Sequence, residues 1–203
     1  MIKFTFELNN FRMKKLILIT LLVSFSVSSF AQRNSRANND WYVSFGVNAI
    51  NSLGTQSPFN SPSDWAFHSP ISAAIEYNWS DQFALEQSIT FNGFTEDHVI
   101  DGVSLEEDYS YLSLDTNMKF YFDQYIFPNF NWIELHANAG VGFFHVDETN
   151  ISANIGGGAL FWLNGNRTFG LRVQTTGKFA FNHPESGFDN NHFQHHLQVV
   201  FKL

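Results

Sequence analysis

Eight histidines are the residues of this sequence best suited to metal or acid–base chemistry, because it has no cysteine to act as thiolate ligand or nucleophile. Four of them, His183, His192, His195 and His196, fall near the C-terminus. On an extended chain, at about 3.3 Å per residue, His192 and His196 stand about 13 Å apart. They cannot share an ion by themselves, and His195 and His196 point to opposite faces. His68, His98 and His183 sit in polar connections. Asp97, Asp101, Glu106 and Asp108 are weak divalent-cation candidates, oxygen donors of the type Ca²⁺ prefers. Val99 stands where that loop pattern needs a ligand. His136-Ala137-Asn138 offers a base and an amide but no serine. Gly156-Gly157-Gly158 lies in a strand-like segment with no helix after it, so it is not a phosphate loop. The sequence holds no Gly-x-Ser-x-Gly elbow, no HExxH and no Walker motif. No catalysis, no cofactor and no metal centre are expected.

The elements that position these side chains follow from composition and period. The chain has 203 residues, of which 15% are charged and 17% aromatic, including 24 Phe. Its mean hydropathy is −0.16. The length suits one domain. Charge lies below the roughly 25% of an ordinary soluble domain, yet the chain is neutral-polar and aromatic rather than greasy. Disorder needs the opposite balance. The net charge of −8 argues against nucleic acid, which needs a basic face.

From Met13 the sequence reads MKKLILITLLVSFSVSSFAQ. Lys14 and Lys15 precede an apolar run from Leu16 to Val27, and Ser29-Phe30-Ala31 precedes a cut at Gln32. This is the design of a secretory signal peptide. Residues 1–31 are therefore read as a removed signal region with its true start at Met13. Residues 32–40 are read as a short periplasmic segment and 41–203 as the folded domain. The leader takes four of the eleven bases and one of the nineteen acids, leaving 7 against 18 and a net charge of −11.

The mature chain shows no helical stripe. It shows period-two alternation in eight segments of roughly 9 to 13 residues. Trp41, Val43, Phe45, Val47 and Ala49 alternate with Tyr42, Ser44, Gly46 and Asn48, and seven further segments follow, ending at Leu203. Globular strands run about 5 to 6 residues; a tilted strand needs about 9 to 11 to cross a bilayer. Long connections near 51–70, 95–109 and 182–191, with a moderate one near 146–152, alternate with shorter ones near 80–82, 122–131 and 164–167. The predicted fold is all-β, an eight-stranded antiparallel transmembrane up-and-down β-barrel with long outer loops and short periplasmic turns. A soluble barrel would carry Lys and Glu densely on its polar face. Here that face is Gly, Ser, Asn and Thr, which suits a narrow lumen filled by side chains.

Eight charges fall on lumen-facing positions: Glu76, Glu86, Asp115 and Glu134 against Lys119, Lys178, Lys202 and Arg172. Six of them, Glu76, Glu86, Lys119, Glu134, Arg172 and Lys202, lie near the periplasmic ends of their strands and are expected to form one salt-bridge layer that plugs the lumen. The outer loops hold eleven acids and no Lys or Arg; an acidic solvated rim is the plain reading. Girdles are expected at both interfaces: Trp41, Tyr77, Trp79, Phe83, Phe120, Trp132, Phe161, Phe169 and Phe201 on the periplasmic side, and Phe91, Phe94, Phe143, Phe181 and Phe193 on the outer side.

WYVSFGVNAI (41–50), IGGGALFWL (155–163), GLRVQTTGKFAF (170–181) and HFQHHLQVVFKL (192–203) resemble the OmpA-like transmembrane barrel domain of Bacteroidetes-type bacteria. The resemblance covers about 41–203. That family often carries a C-terminal peptidoglycan-binding domain; this sequence stops at the eighth strand, so cell-wall tethering is not carried over. Its last residue is Leu203, where such barrels usually end in Phe, but Leu197, Val199, Phe201 and Leu203 keep the alternating C-terminal signal read by the barrel assembly machinery. The resemblance implies a small integral protein of a Gram-negative outer membrane, with its termini in the periplasm and a structural, adhesive or partner-docking role. Its expected partners are outer-membrane lipid and lipopolysaccharide, and the assembly machinery during biogenesis. The first alternative is a binding module or adhesin whose acidic outer loops, with Phe59, Trp65, Phe67 and Phe188, engage an envelope or host protein. The second is a lipid-modifying enzyme.

Overall fold

A computed structural model describes residues 39–51, 57–59, 61–96, 98–100, 103–181 and 191–203. The expected signal region, Arg33, Arg36, Asp97, Asp101, His183, Glu185, Phe188 and Asp189 lie outside the described residues. The strands are β1 (Asp40–Ile50), β2 (Ile71–Asn78), β3 (Phe83–Phe94), β4 (Val99–Ile100), β5 (Val103–Ser104), β6 (Tyr109–Tyr121), β7 (Ile133–His145), β8 (Thr149–Trp162), β9 (Phe169–Ala180) and β10 (His192–Lys202). Eight of them close a barrel in the order β1-β10-β9-β8-β7-β6-β3-β2, while β4 and β5 form a separate two-stranded pair inside one connection. Every wall pairing is antiparallel. The ring closes between first and last staves, from Tyr42↔Lys202 to Ile50↔Gln194, so no sheet edge is left open.

Alternation decides which way each side chain points. The outward positions are large and apolar, and Phe45, Ile71, Leu114, Val141 and Ile155 are exposed on the wall. The inward positions are polar and buried: Ser44, Asn48, Ser72, Thr90, Asn117, Asn138, Asn154, Gln174 and Gln198. That is the reverse of a water-soluble barrel and the arrangement a hydrocarbon solvent selects. Glycine makes room inside: a Cβ at Gly158 would lie 3.0 Å from His136 Cε1.

The pattern changes at the loop end of β3, β6 and β7. There the inward residues are Phe94, Tyr111 and Phe144, and they bury themselves with Ile50, Ala66, Ile100, Leu105 and Val146. The outward residues at that level, Ser110, His145 and Thr149, are exposed and polar. Apolar has moved inside and polar outside, so this part of the barrel stands in water. Two connections are drawn over it. Ala66 exchanges backbone hydrogen bonds with Ile50, at 2.7 and 3.3 Å, and Leu105 N–H donates to His98 O at 2.9 Å. Phe94, expected in the outer girdle, is fully buried in this cap instead. Its position has the parity of the lumen, and only the change of solvent along β3 makes an inward Phe favourable.

At the opposite end, which carries the described chain ends, the turns are built by local side-chain acceptors. Ser80 Oγ accepts from Phe83 N–H at 2.9 Å. Asn164 Oδ1 accepts from Thr168 N–H at 3.0 Å, which holds the turn where Arg167 takes φ 53°. The third connection is longer and contains the one-turn helix α1 (Asp123–Ile126).

Candidate functional site: the ion-paired lumen

Register places Glu76 directly across from Glu86 on adjacent staves. Two like charges side by side repel and are costly to desolvate. Two bases from other staves resolve this. Lys119, one step away on β6, donates to Glu76 Oε2 at 2.9 Å and also pairs with Glu86 Oε2. Arg172 reaches across the bore from β9. Its Nη2 donates to Glu76 Oε2 at 2.7 Å and its Nη1 to Glu86 Oε2 at 2.9 Å. The remaining carboxylate oxygens are also used: Tyr121 Oη donates to Glu76 Oε1 at 2.5 Å and Gln174 Nε2 to Glu86 Oε1 at 3.4 Å. The four charged side chains are at most 1% exposed and sum to zero. All four carboxylate oxygens accept at least one hydrogen bond, while Arg172 Nε is buried without a partner; a neutral, mutually bonded cluster is the form in which charge survives burial.

A second pair lies nearer the loop end. Lys178 on β9 pairs with Asp115 on β6. Its Nζ donates to Ser113 Oγ at 2.8 Å, and that hydroxyl donates to Asp115 Oδ2 at 2.5 Å. Asn154 Nδ2 donates to Asp115 Oδ1 at 2.8 Å. Above them Lys178 Nζ lies 5.6 Å from the Phe144 ring centre, and Tyr111 Oη meets His192 Nε2 at 2.6 Å. This is where the polar lumen joins the apolar cap.

The single layer of six does not form. Glu134 and Lys202 stand at the mouth, where Glu134 pairs with Arg167 and Lys202 Nζ lies 2.5 Å from Asp40 Oδ2. Barrel strands are tilted, so equal distances from a strand end are not equal heights in the bore. The last inward positions meet charges from the turns and the chain end rather than the inner four. The mouth opens as a polar vestibule of about 340 Å³, lined among others by Asp40, Tyr42, Asn78, Asp81, Tyr121 and Lys202. Sequence reasoning missed Asp40 and Arg167 as partners; opposite charge next to an inward residue at a strand end was the available signal.

The histidines are spread through the structure. His136 faces the lumen against Gln174 at 3.1 Å, and His196 lies 3.3 Å from Gln194. His195 faces outward, 3.0 Å from Thr175 Oγ1, and stacks on Trp65 at 4.4 Å between ring centres. Among the described residues no three His, Asp or Glu side chains come together as metal ligands. Of the loop acids, Asp108 accepts from Glu96 N–H at 2.7 Å, and Glu106 is exposed. Leu197, Phe201 and Leu203 are exposed on the outer wall and Val199 is half-buried there.

No protein-family model matches this chain, and no curated protein matches its sequence. Its fold matches solved outer-membrane barrels. The outer membrane protein OprG from Pseudomonas aeruginosa superposes with a TM-score of 0.56 at 10% identity, covering 83% of this chain and 98% of that one. Neisserial surface protein A gives 0.53 at 12% identity, with 82% and 97% covered. AlkL, solved by solid-state NMR in DMPC lipid bilayers, gives 0.51 at 13% identity, with 85% and 94% covered. The chain has the fold of an eight-stranded up-and-down transmembrane β-barrel of the outer-membrane type.

Proposed function

We propose that this protein is a structural component of a Gram-negative outer membrane, OmpA-like in kind, which conducts no ions and performs no catalysis. The observation that carries this reading is closure in series: a charge-neutral quartet fills the bore, and a buried apolar cap covers the loop end. Eight strands leave an interior just wide enough for side chains to fill, so a filled barrel offers its surfaces rather than a channel. In this reading the short turns and the described chain ends face the periplasm, and the long connections, which hold most of the acids, face outward. Leu197, Val199, Phe201 and Leu203 then form the outward-facing segment offered to the assembly machinery, and lipid and lipopolysaccharide are the wall's partners. Planar-bilayer recording of the refolded protein tests closure: no steady single-channel steps are expected. Regular steps from the unmodified protein, blocked by no contaminant control, would overturn it. A deletion strain should leak detergent or large antibiotics if the role is envelope integrity.

A second reading is supported by the exposed rings of Phe59 and Phe67 on the loop that Trp65 pins to the wall at His195. Phe67 and Phe59, which stacks on His195 at 5.4 Å, leave more than half of their surface exposed on a braced loop, which suits recognition of an envelope or host protein. A partner retained by the wild type and lost with Phe59→Ser and Phe67→Ser together would favour it over a purely structural role.

A further inference from the structure

The three connections at the mouth are not alike. Those at 79–82 (WSDQ) and 163–168 (LNGNRT) are short, with one large apolar residue each, while the one at 122–132 reads FDQYIFPNFNW. In it, Tyr125, Ile126, Phe130 and Trp132 are all about half exposed or more, with Tyr125 at 66%. A contiguous patch of exposed rings and branched carbons marks an interaction surface or a membrane contact. The same segment turns its polar side inward: Asp123 and Gln124 line the vestibule, and Asp123 Oδ1 accepts from Leu135 N–H at 3.3 Å. It is also braced, since Gln82 Nε2 donates to Tyr125 Oη at 2.6 Å.

The aromatic contacts join the segment to the outer wall. On one side a line of rings runs from Trp79 in the neighbouring connection through Phe83 and Phe120 on the wall to Phe122 at the start of the segment, each 5.2 to 6.4 Å from the next. From the other side Phe127, Phe130, Trp132 and Phe161 continue the line at 5.6 to 6.2 Å. The apolar side of the connection is thus continuous with the lipid-facing wall. Aromatic rings with polar tips partition to the boundary between headgroups and acyl chains. The segment carries one acid and no base, so attraction to anionic headgroups contributes nothing and the contact is by apolar insertion.

We propose that 122–132 is a membrane foot: Tyr125, Ile126, Phe130 and Trp132 insert into the phospholipid boundary on the mouth side, on one flank of the barrel only. The foot holds that flank at a set depth while Asp123 and Gln124 stay in water at the vestibule. The inference rests on the transmembrane reading of the wall.

The chain has no cysteine, so single nitroxide labels can be placed without background. The test uses full-length protein carrying Ile126→Cys, Gln124→Cys or Leu114→Cys, refolded into neutral phosphatidylcholine vesicles, with heat-modifiable gel mobility as the check of folding. Collision with oxygen reports lipid, and collision with a nickel chelate reports water. The label at Ile126 is expected to favour oxygen several-fold more than the label at Gln124, with no change in 0.5 M salt. A water-like label at Ile126 beside a lipid-like label at Leu114 overturns the foot alone. A water-like label at Leu114 overturns the membrane reading of the wall. Spin–spin broadening at Ile126 that fades on dilution with unlabelled protein shows a second copy on this face and overturns the foot. If Ile126→Cys fails to fold, Tyr125→Cys gives the same readout.

Discussion

The lumen and the cap are consecutive stretches of the same staves, and they are built by opposite rules. Along β6, Lys119, Asn117, Asp115 and Ser113 face inward and are polar, and the next inward residue is Tyr111, packed with Phe94 and Phe144. On the same strand the outward residues run from Met118 and Leu114 on the wall to Ser110 at the tip. The backbone is one continuous ladder from Ala84↔Lys119 to Phe94↔Tyr109. What changes is the solvent outside. Where lipid surrounds the wall, burying apolar side chains inside gains nothing, and the lumen is free to be filled by paired charges and amides. Where water surrounds it, the hydrophobic effect returns and the interior must be apolar. The level of the inversion on this side of the barrel is therefore a structural reading of the membrane boundary.

This contrast can be broken from either side. The largest effect is expected from Arg172→Ala. It removes the cation that spans the bore and leaves Glu76 and Glu86 facing each other with Lys119 alone, and loss of one partner from a buried cluster costs about 3–5 kcal/mol. Urea unfolding in vesicles, followed by gel mobility, measures it. A loss below about 1 kcal/mol would mean that water already screens the quartet, and the closed lumen would fail with it. The next largest is Ile50→Ala in the cap, with a loss of about 2–4 kcal/mol typical of a cavity in a well-packed core. A near-zero result would show that the cap does not behave as a water-surrounded core. The smallest is Lys202→Ala at the open mouth. Lys202 and Asp40 are partly exposed, and exposed pairs contribute under about 1 kcal/mol. An effect as large as that of Arg172→Ala would move the closed region down to the mouth and erase the distinction between rim and lumen.

Much of the fold was legible because period two is a property of sequence alone. Trp41 to Ala49 against Tyr42 to Asn48 already separates two faces, and weak charge on the polar face says that face is not the one in water. The charged lumen residues could be named for the same reason. Their pairing could not. Glu76 and Glu86 meet because of stave register, and Arg172 joins them by reaching over the bore from a strand almost a hundred residues later. Glu134 and Lys202 were misplaced because strand tilt converts sequence offset into height.

Phe94 shows the deeper limit. Parity places its side chain inside, yet an inward Phe is wrong in a polar lumen and right in a cap, and period two carries no sign. Tyr42, Leu160, Trp162 and Val200 repeat the point near the mouth, where four inward residues make a small buried apolar cluster. By itself the sequence determined the number of wall strands, their two faces and which charges lie on the inward face, since these depend only on local alternation and composition; the small β4–β5 pair inside one connection was not legible. The tertiary structure decided which charges meet, where the cap begins and which turn carries its apolar side outward. Those depend on register, tilt and the solvent at each height, and none of the three is written in any single strand.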